Sequence, residues 1–182
     1  IDSKRKTDIE IISILGDIKN IDLLNFIFKT NSINTVYHAA AYKHVLISEN
    51  NPTEFIQNNV FGTLTLANVS KDFNVETFIF ISTDKAVRPS SIMGATKRVA
   101  ELIIQSLNSL EHNTKFVIVR FGNVLGSSGS VIPIFKNQIA NNGPVTVTDS
   151  NVIRYFMTIK EAAELVIQSG ALANGGEVFV LD

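Results

Sequence analysis

Short runs that are apolar at nearly every position alternate along this chain with longer stretches whose apolar residues recur every three or four positions. The first pattern reads as strands buried on both faces, the second as amphipathic helices. Residues 9–15 (IEIISIL) are thus expected as the first strand, closed by Gly16 and Asp17, with a helix over 21–28. A short strand at 35–39 leads into Ala40 and Ala41, and 52–71 reads as one long helix capped by Asn51 or Thr53. Gly62 falls inside that helix at a local cost of about 1 kcal/mol. Residues 77–82 (TFIFIS) predict a central strand, 93–110 a helix, and 115–121 a further strand ending at Gly122 and Asn123. From 126 to 151 the chain is rich in Gly, Ser and Asn, with a small helix at 135–140. A helix over 159–170 and a strand over 177–181 complete the alternation, which is that of a parallel α/β sheet with helices on both faces.

In such a sheet, ligands lie beyond the carboxyl ends of the strands. The segments there (Gly16-Asp17, 39–44, 82–88 and 122–130) are polar for positions next to buried strands. Charge and composition narrow what they hold. With 16 Lys+Arg against 17 Asp+Glu the net charge is −1, without the basic excess that suits a duplex nucleic acid. No apolar run approaches the roughly 20 residues of a membrane span, and the first residues lack a signal-peptide pattern, so the expected setting is cytoplasmic. The absence of cysteine excludes disulfides and thiolate chemistry. Among the histidines, His38 and His44 read as packing or supporting residues and His112 as exposed; their spacing is not that of metal ligands. A glycine-rich turn opening a helix, the usual cradle for a dinucleotide phosphate, is also missing. Gly122, Gly126 and Gly129 are irregularly spaced and run into Ser130-Val131-Ile132-Pro133 rather than a long helix.

Four stretches in order, 36–45 (VYHAAAYKHV), 82–89 (STDKAVRP), 93–98 (MGATKR) and 120–133 (RFGNVLGSSGSVIP), resemble the extended short-chain dehydrogenase/reductases that act on nucleotide sugars. Within them the likeness is to the capsule-type polysaccharide-biosynthesis branch of UDP-N-acetylglucosamine 4,6-dehydratases. The resemblance spans residues 36–180 and implies a Rossmann-like sheet, with 1–125 as an NAD-binding core and 126–182 as part of a substrate-binding region. It implies that the family's glycine-rich unit precedes residue 1, leaving the core incomplete at its N-terminus. The implied cofactor is NAD, with NADP as the variant, and the implied partner is a UDP-sugar. It further implies a homo-oligomer formed through the helices at 52–71 and 93–110, and a full-length form anchored at the inner face of the membrane.

The implied reaction oxidises C4 of the hexose, eliminates water across C5 and C6, and returns the hydride to C6. By resemblance, Asp84 is the acid for the leaving hydroxyl and Lys85 the base at C5, with Lys43, Arg88 and Lys97 as cationic neighbours able to lower its pKa. Most relatives carry a Tyr-x-x-x-Lys pair; here Met93 holds the tyrosine position and Lys97 follows one turn later on the same face. Methionine accepts no proton, which leaves Thr83, acting through Asp84 or a water, as the candidate base for the C4 hydroxyl. Cofactor contacts are expected from Asp17 and Ile18 near the adenine, from Ala39, Ala40 and Ala41, whose small side chains admit a flat ring, and from Lys43, Asn59, Ser82, Lys97 and Phe121. Lys43, Asn123, Ser130, Val131 and Arg154 are expected on the substrate, an arginine fork suiting its diphosphate. The residue types alone leave alternatives open. Asp84–Lys85 also reads as a solvated pair, Lys43 as a surface lysine, Asn59 as a buried hydrogen-bonding residue, and Arg154 as a stacking partner of Tyr155 or Phe156. Met93 can equally mark an inactive site. A 4-epimerase is the neighbouring enzyme reading, disfavoured because it needs no acid at C6; a non-catalytic nucleotide-sugar-binding core is the reading from another class.

Overall fold

Four parallel strands frame the computed structural model, which describes residues 9–127, 131–147, 149–151, 153 and 155–181. In chain order the elements are α1 (Ile21–Thr30), β1 (Thr35–His38), α2 (Val45–Asn50), α3 (Pro52–Phe55), a π-helical turn (Ile56–Gly62), α4 (Thr63–Asp72), β2 (Thr77–Thr83), a 3-10 turn (Asp84–Ala86), α5 (Ile92–Asn108), β3 (Lys115–Phe121), β4 (Asn123–Val124), α6 (Val131–Ala140), β5 (Phe156–Met157), α7 (Ile159–Leu172) and β6 (Val178–Val180). The sheet order is β1-β2-β3-β6, and β4 pairs with β5 in a separate short ribbon.

The two-residue period of a strand sorts the core. Phe78, Phe80, Phe116 and Ile118 meet Leu24, Phe28, Leu66, Ala100 and Ile104 of α1, α4 and α5. Ile79 and Val119 meet Val166 of α7 on the other face. The same alternation carries Ser82 and Arg120, which are register partners, onto the α5 side. Helix α5 presents Met93, Lys97, Ala100, Glu101, Ile104 and Leu107 to the interior. Its first N–H groups are all met by side chains: Glu49 accepts from Ile92 at 2.9 Å, Ser48 from Met93 at 3.2 Å and Ser91 from Gly94 at 3.1 Å. A capping box between Thr158 and Glu161 opens α7.

Four expectations are corrected. Residues 9–15 form no strand: Ile11 is 72% and Leu15 101% exposed, and the run has no ladder partner among the described residues. Apolar composition supplies the tendency, but a strand exists only as a partner in a ladder. The single helix expected over 52–71 is broken by the π-helical turn, where Gly62 stands because a Cβ there would lie 2.7 Å from Ile18 Cδ1. Helix α6 starts at Val131, earlier than expected, with Pro133 in its first turn, where the missing N–H costs nothing. His112 is half-buried rather than exposed, its Nε2 2.6 Å from the Leu107 carbonyl at the end of α5. No helix among the described residues is long and apolar enough to cross a membrane.

Candidate active site

The carboxyl ends of β2 and β3 open onto a cavity of about 540 Å³, within the size range of small-molecule sites. Asp84, Lys85, Phe121 and Asn123 line it, with Tyr155 and Phe156 across the opening. At its polar end three consecutive residues form one hydrogen-bonded group. Thr83, the last residue of β2, donates its hydroxyl to Asp84 Oδ1 at 2.8 Å, and Lys85 Nζ donates to the same oxygen at 2.9 Å. Thr83 Oγ1 also accepts the Lys85 N–H at 3.3 Å, which starts the 3-10 turn. Burial pushes the Asp84 carboxyl up, but its bonds to Lys85 and Thr83 outweigh that and hold it below its usual value. Asp84 is therefore a carboxylate and Lys85 its ammonium partner.

Two backbone features fix this turn. Gly94 of α5 lies under it, and a Cβ there would collide with the Lys85 carbonyl oxygen and sit 3.2 Å from Pro89 Cβ. Arg88, directly before Pro89, has φ 49°, a left-handed conformation that a residue with a Cβ adopts at a cost. The exposed Arg88 does not neighbour Lys85 in any hydrogen bond or ion pair; Asp84 is the partner that Lys85 has.

Met93 is buried, and Lys97 one turn on is buried too. Lys97 Nζ lies 2.5 Å from the Ile81 carbonyl oxygen and 4.0 Å from the centre of the Phe80 ring. Ile81 lies just beyond the last pair of β1 with β2, His38 with Phe80, so the lysine approaches the sheet where the two strands part. Burial pushes its ammonium down to about 7, against the opposing pull of Glu101.

The remaining expected residues are dispersed. Asn59 serves the chain itself: Oδ1 accepts the Tyr42 N–H at 2.8 Å, and Nδ2 donates to the Tyr42 carbonyl at 2.9 Å and to Thr96 Oγ1 at 3.2 Å. That pins the segment following β1, in which Ala39 and Ala40 are exposed. Lys43 lines a second cavity of about 510 Å³, with His44, Ile47 and Glu54, rather than the first. Asp17 closes a turn on the Lys19 N–H at 2.8 Å, and Ile18 packs on the core beside Gly62. The Ser82 hydroxyl goes to Glu101 at 2.6 Å. Asn123 Nδ2 donates to the Tyr155 carbonyl at 3.2 Å, joining the β4–β5 ribbon across the cavity. Val131 starts α6 and does not line the cavity; Ser130 and Arg154 lie outside the described residues.

Glu101 was not anticipated. It is fully buried and accepts from Ser82, Arg98 and Arg120. The signal was present: positions 93, 97, 100, 101, 104 and 107 form one helical stripe, and two of its members are charged.

Residues 1–182 match the model of a family described as polysaccharide biosynthesis protein. A capsular polysaccharide biosynthesis protein, CapD, from Staphylococcus aureus is 57% identical over 174 residues, which are 96% of this chain and 29% of that protein. A UDP-N-acetylglucosamine 4,6-dehydratase (inverting) from Campylobacter jejuni is 33% identical over 91% of the chain and 50% of its own length. A UDP-glucose 4-epimerase from Rickettsia bellii is 34% identical over 91% and 49%. The chain thus spans from 29% to 50% of these relatives' length, and identity alone does not separate the two activities. Among solved structures, the dTDP-glucose 4,6-dehydratase DesIV from Streptomyces venezuelae, with NAD and TYD bound, superimposes with a TM-score of 0.83 over 91% of the chain and 56% of that one, at 22% identity.

Proposed function

Because the chain belongs to the polysaccharide biosynthesis family of extended short-chain dehydrogenase/reductases, we propose that it carries the catalytic groups of an NAD-dependent UDP-N-acetylglucosamine 4,6-dehydratase. The observation that carries this reading is the Thr83–Asp84–Lys85 group at the polar end of the larger cavity. Elimination needs an acid at the departing C6 oxygen and a base at C5; an epimerase needs neither. In the free protein the pair has the wrong protonation for those roles, since Asp84 is ionised and Lys85 charged. One proton moved along the 2.9 Å hydrogen bond from Nζ to Oδ1 makes a neutral acid beside a neutral amine. Water favours the ion pair. A sugar filling the cavity removes that water, and desolvation favours the neutral form. Thr83, whose hydroxyl donates to Asp84, is placed to pass the C4 hydroxyl proton to a water at the cavity's edge, since Asp84 then holds the proton from Lys85.

The exposed Ala39 and Ala40 fit a flat cofactor ring at the end of β1. Asp17, Ile18, Ala41, Lys43, Asn59, Ser82, Lys97 and Phe121 complete the proposed cofactor set, with Asn59 acting through Tyr42 and Ser82 through Glu101. NAD, when bound, supplies the hydride acceptor at C4 and so acidifies the C5 proton. Residues 1–125 form the proposed cofactor core and 126–182 the proposed substrate region, and the proposed contacts to the UDP moiety are Asn123 at the boundary, Ser130, Val131 and Arg154.

Incubated in heavy water with UDP-N-acetylglucosamine and NAD⁺, the whole protein is expected to give a product lighter by one water and carrying deuterium at C5, read by mass spectrometry. Unchanged mass sinks the elimination. Gly94→Ala should raise helix propensity, yet its methyl displaces the Lys85 main chain. We expect kcat to fall about 10²-fold with UDP affinity unchanged, as a misplacement of around 1 Å produces; full activity would show that the turn tolerates the shift. The exposed Val99 (45%) and Leu102 (49%) of α5, with Phe61 of the π-helical turn, form the proposed homo-oligomer face. Val99→Glu with Leu102→Glu should lower the mass seen by light scattering to that of one chain.

A further inference from the structure

One carboxylate ties together the elements that hold the site. Glu101 Oε1 accepts from Ser82 Oγ at 2.6 Å and Arg120 Nε at 2.7 Å; Oε2 accepts from Arg120 Nη2 at 2.5 Å and Arg98 Nη1 at 2.9 Å. Both oxygens therefore carry two donors, and the Glu101 side chain has no exposed surface. Each donor adjoins a residue of the site. Ser82 precedes Thr83, Asp84 and Lys85; Arg120 precedes Phe121, Gly122 and Asn123; Arg98 follows Lys97. Glu101 itself does not line the cavity. We propose that Glu101 is the positioning residue of this site: its buried carboxylate clamps the carboxyl ends of β2 and β3 to α5 and so fixes the Asp84–Lys85 turn and the Phe121–Asn123 segment relative to Lys97. The proposal rests on the reading that these segments carry the chemistry.

The physical case is one of rigidity and charge. At the carboxyl ends of β2 and β3 the pairing ends with Thr83 and Phe121, so beyond them the ladder no longer holds the loops. A bidentate arginine–carboxylate pair fixes angle as well as distance, and here it anchors to α5 the Ser82–Arg120 pair, one step before the ladder ends. The charged or titratable groups around Lys97 are Glu101 and Arg98 on its own helix, Arg120 on β3 and His38 on β1; of these, Glu101 is the anion. Removing it leaves three cations, Lys97, Arg98 and Arg120, without a counter-charge.

Glu101→Gln in the whole protein tests the clamp, read by turnover and by NMR titration of labelled lysines. The expected result is a loss of kcat of about 10²-fold with KM unchanged, and a Lys97 titration midpoint lower than in the wild type. Breaking one partner of a buried pair also threatens folding, so Ser82→Ala and the charge-neutral double variant Glu101→Gln/Arg120→Met accompany it. Ser82→Ala, which removes a single donor, should lower kcat several-fold while lowering the thermal midpoint by only several degrees, leaving the protein folded. The double variant should regain stability without regaining kcat. A double variant that turns over at the wild-type rate, or a Lys97 midpoint unmoved in Glu101→Gln, overturns the proposal. Lys85→Met is the control for the underlying reading. If it leaves turnover intact, the Asp84–Lys85 turn is not the site, while the lysine titration still reports on Glu101.

Discussion

Lys85→Met should abolish both water loss and deuterium uptake at C5, whereas Asp84→Asn should abolish water loss but only slow deuterium exchange at C5. The two outcomes differ because the two side chains meet different atoms of the proposed reaction. Without an amine at position 85 nothing removes the C5 proton, so the recovered sugar stays unlabelled. Without a carboxyl at 84, Lys85 must give up its proton to water instead, so exchange at C5 is slower but persists, while the C6 oxygen has no acid with which to depart. Each change is expected to lower kcat for dehydration by about 10²–10⁴-fold, the usual contribution of a positioned acid or base. Both side chains are partly exposed, so neither variant should cost much stability. The measurement is mass spectrometry in heavy water on recovered substrate and product. Label appearing at C5 with Lys85→Met would move the base elsewhere.

Acid should unfold this protein through His38. Its ring lies against Phe78 and Phe80, with centres 5.9 and 5.5 Å away. Thr63 Oγ1 donates to the Asn59 carbonyl, so it must accept from His38 Nε2 at 2.8 Å. That fixes the tautomer and leaves Nδ1 buried as a bare acceptor. Protonating Nδ1 would bury a charged donor with no acceptor and place it near the Lys97 cation. Burial, with Lys97 adding to it, pushes the imidazole down to about 3. The unfolded chain takes up this proton near pH 6.5 and the folded one near 3. Stability from the neutral ring is therefore complete above about pH 6.5 and is lost as pH falls toward 3. By pH 4.5 the loss is on the order of 2–3 kcal/mol. Urea melts over this range should show a steep acid limb in the wild type and a shallower one in His38→Gln, which offers the Thr63 hydroxyl an amide donor but does not titrate. Equal limbs would assign acid sensitivity to the carboxylates alone.

Those two predictions draw on different kinds of information. The cavity-lining position of Asp84 and Lys85 is legible because they directly follow an apolar run that reads as a buried strand, and the carboxyl end of such a strand is where a parallel sheet opens a cavity. Strand β3 was expected at the observed limits, and β2, α5 and α7 within one or two residues, because each has a strong local pattern. The sequence reads His38 as a packing or supporting residue and the structure buries it against Phe78 and Phe80, but its missing acceptor depends on what surrounds Nδ1. The expected cationic neighbours of Lys85 were a matter of distance across the fold. Lys97 turned inward to the Ile81 carbonyl instead, and Lys43 went to another cavity.

By itself, the sequence determined the parallel α/β class, the central strands and the polar turn after β2, since periodicity and residue type act over a few neighbouring positions. Only the tertiary structure decided that residues 9–15 find no ladder partner among the described residues, that the helix after Pro52 yields a π-helical turn where Ile18 meets Gly62, and that Glu101 joins two strand ends. A ladder partner, a close approach and a shared carboxylate each require groups distant along the chain to arrive at one place. No local pattern encodes that arrival.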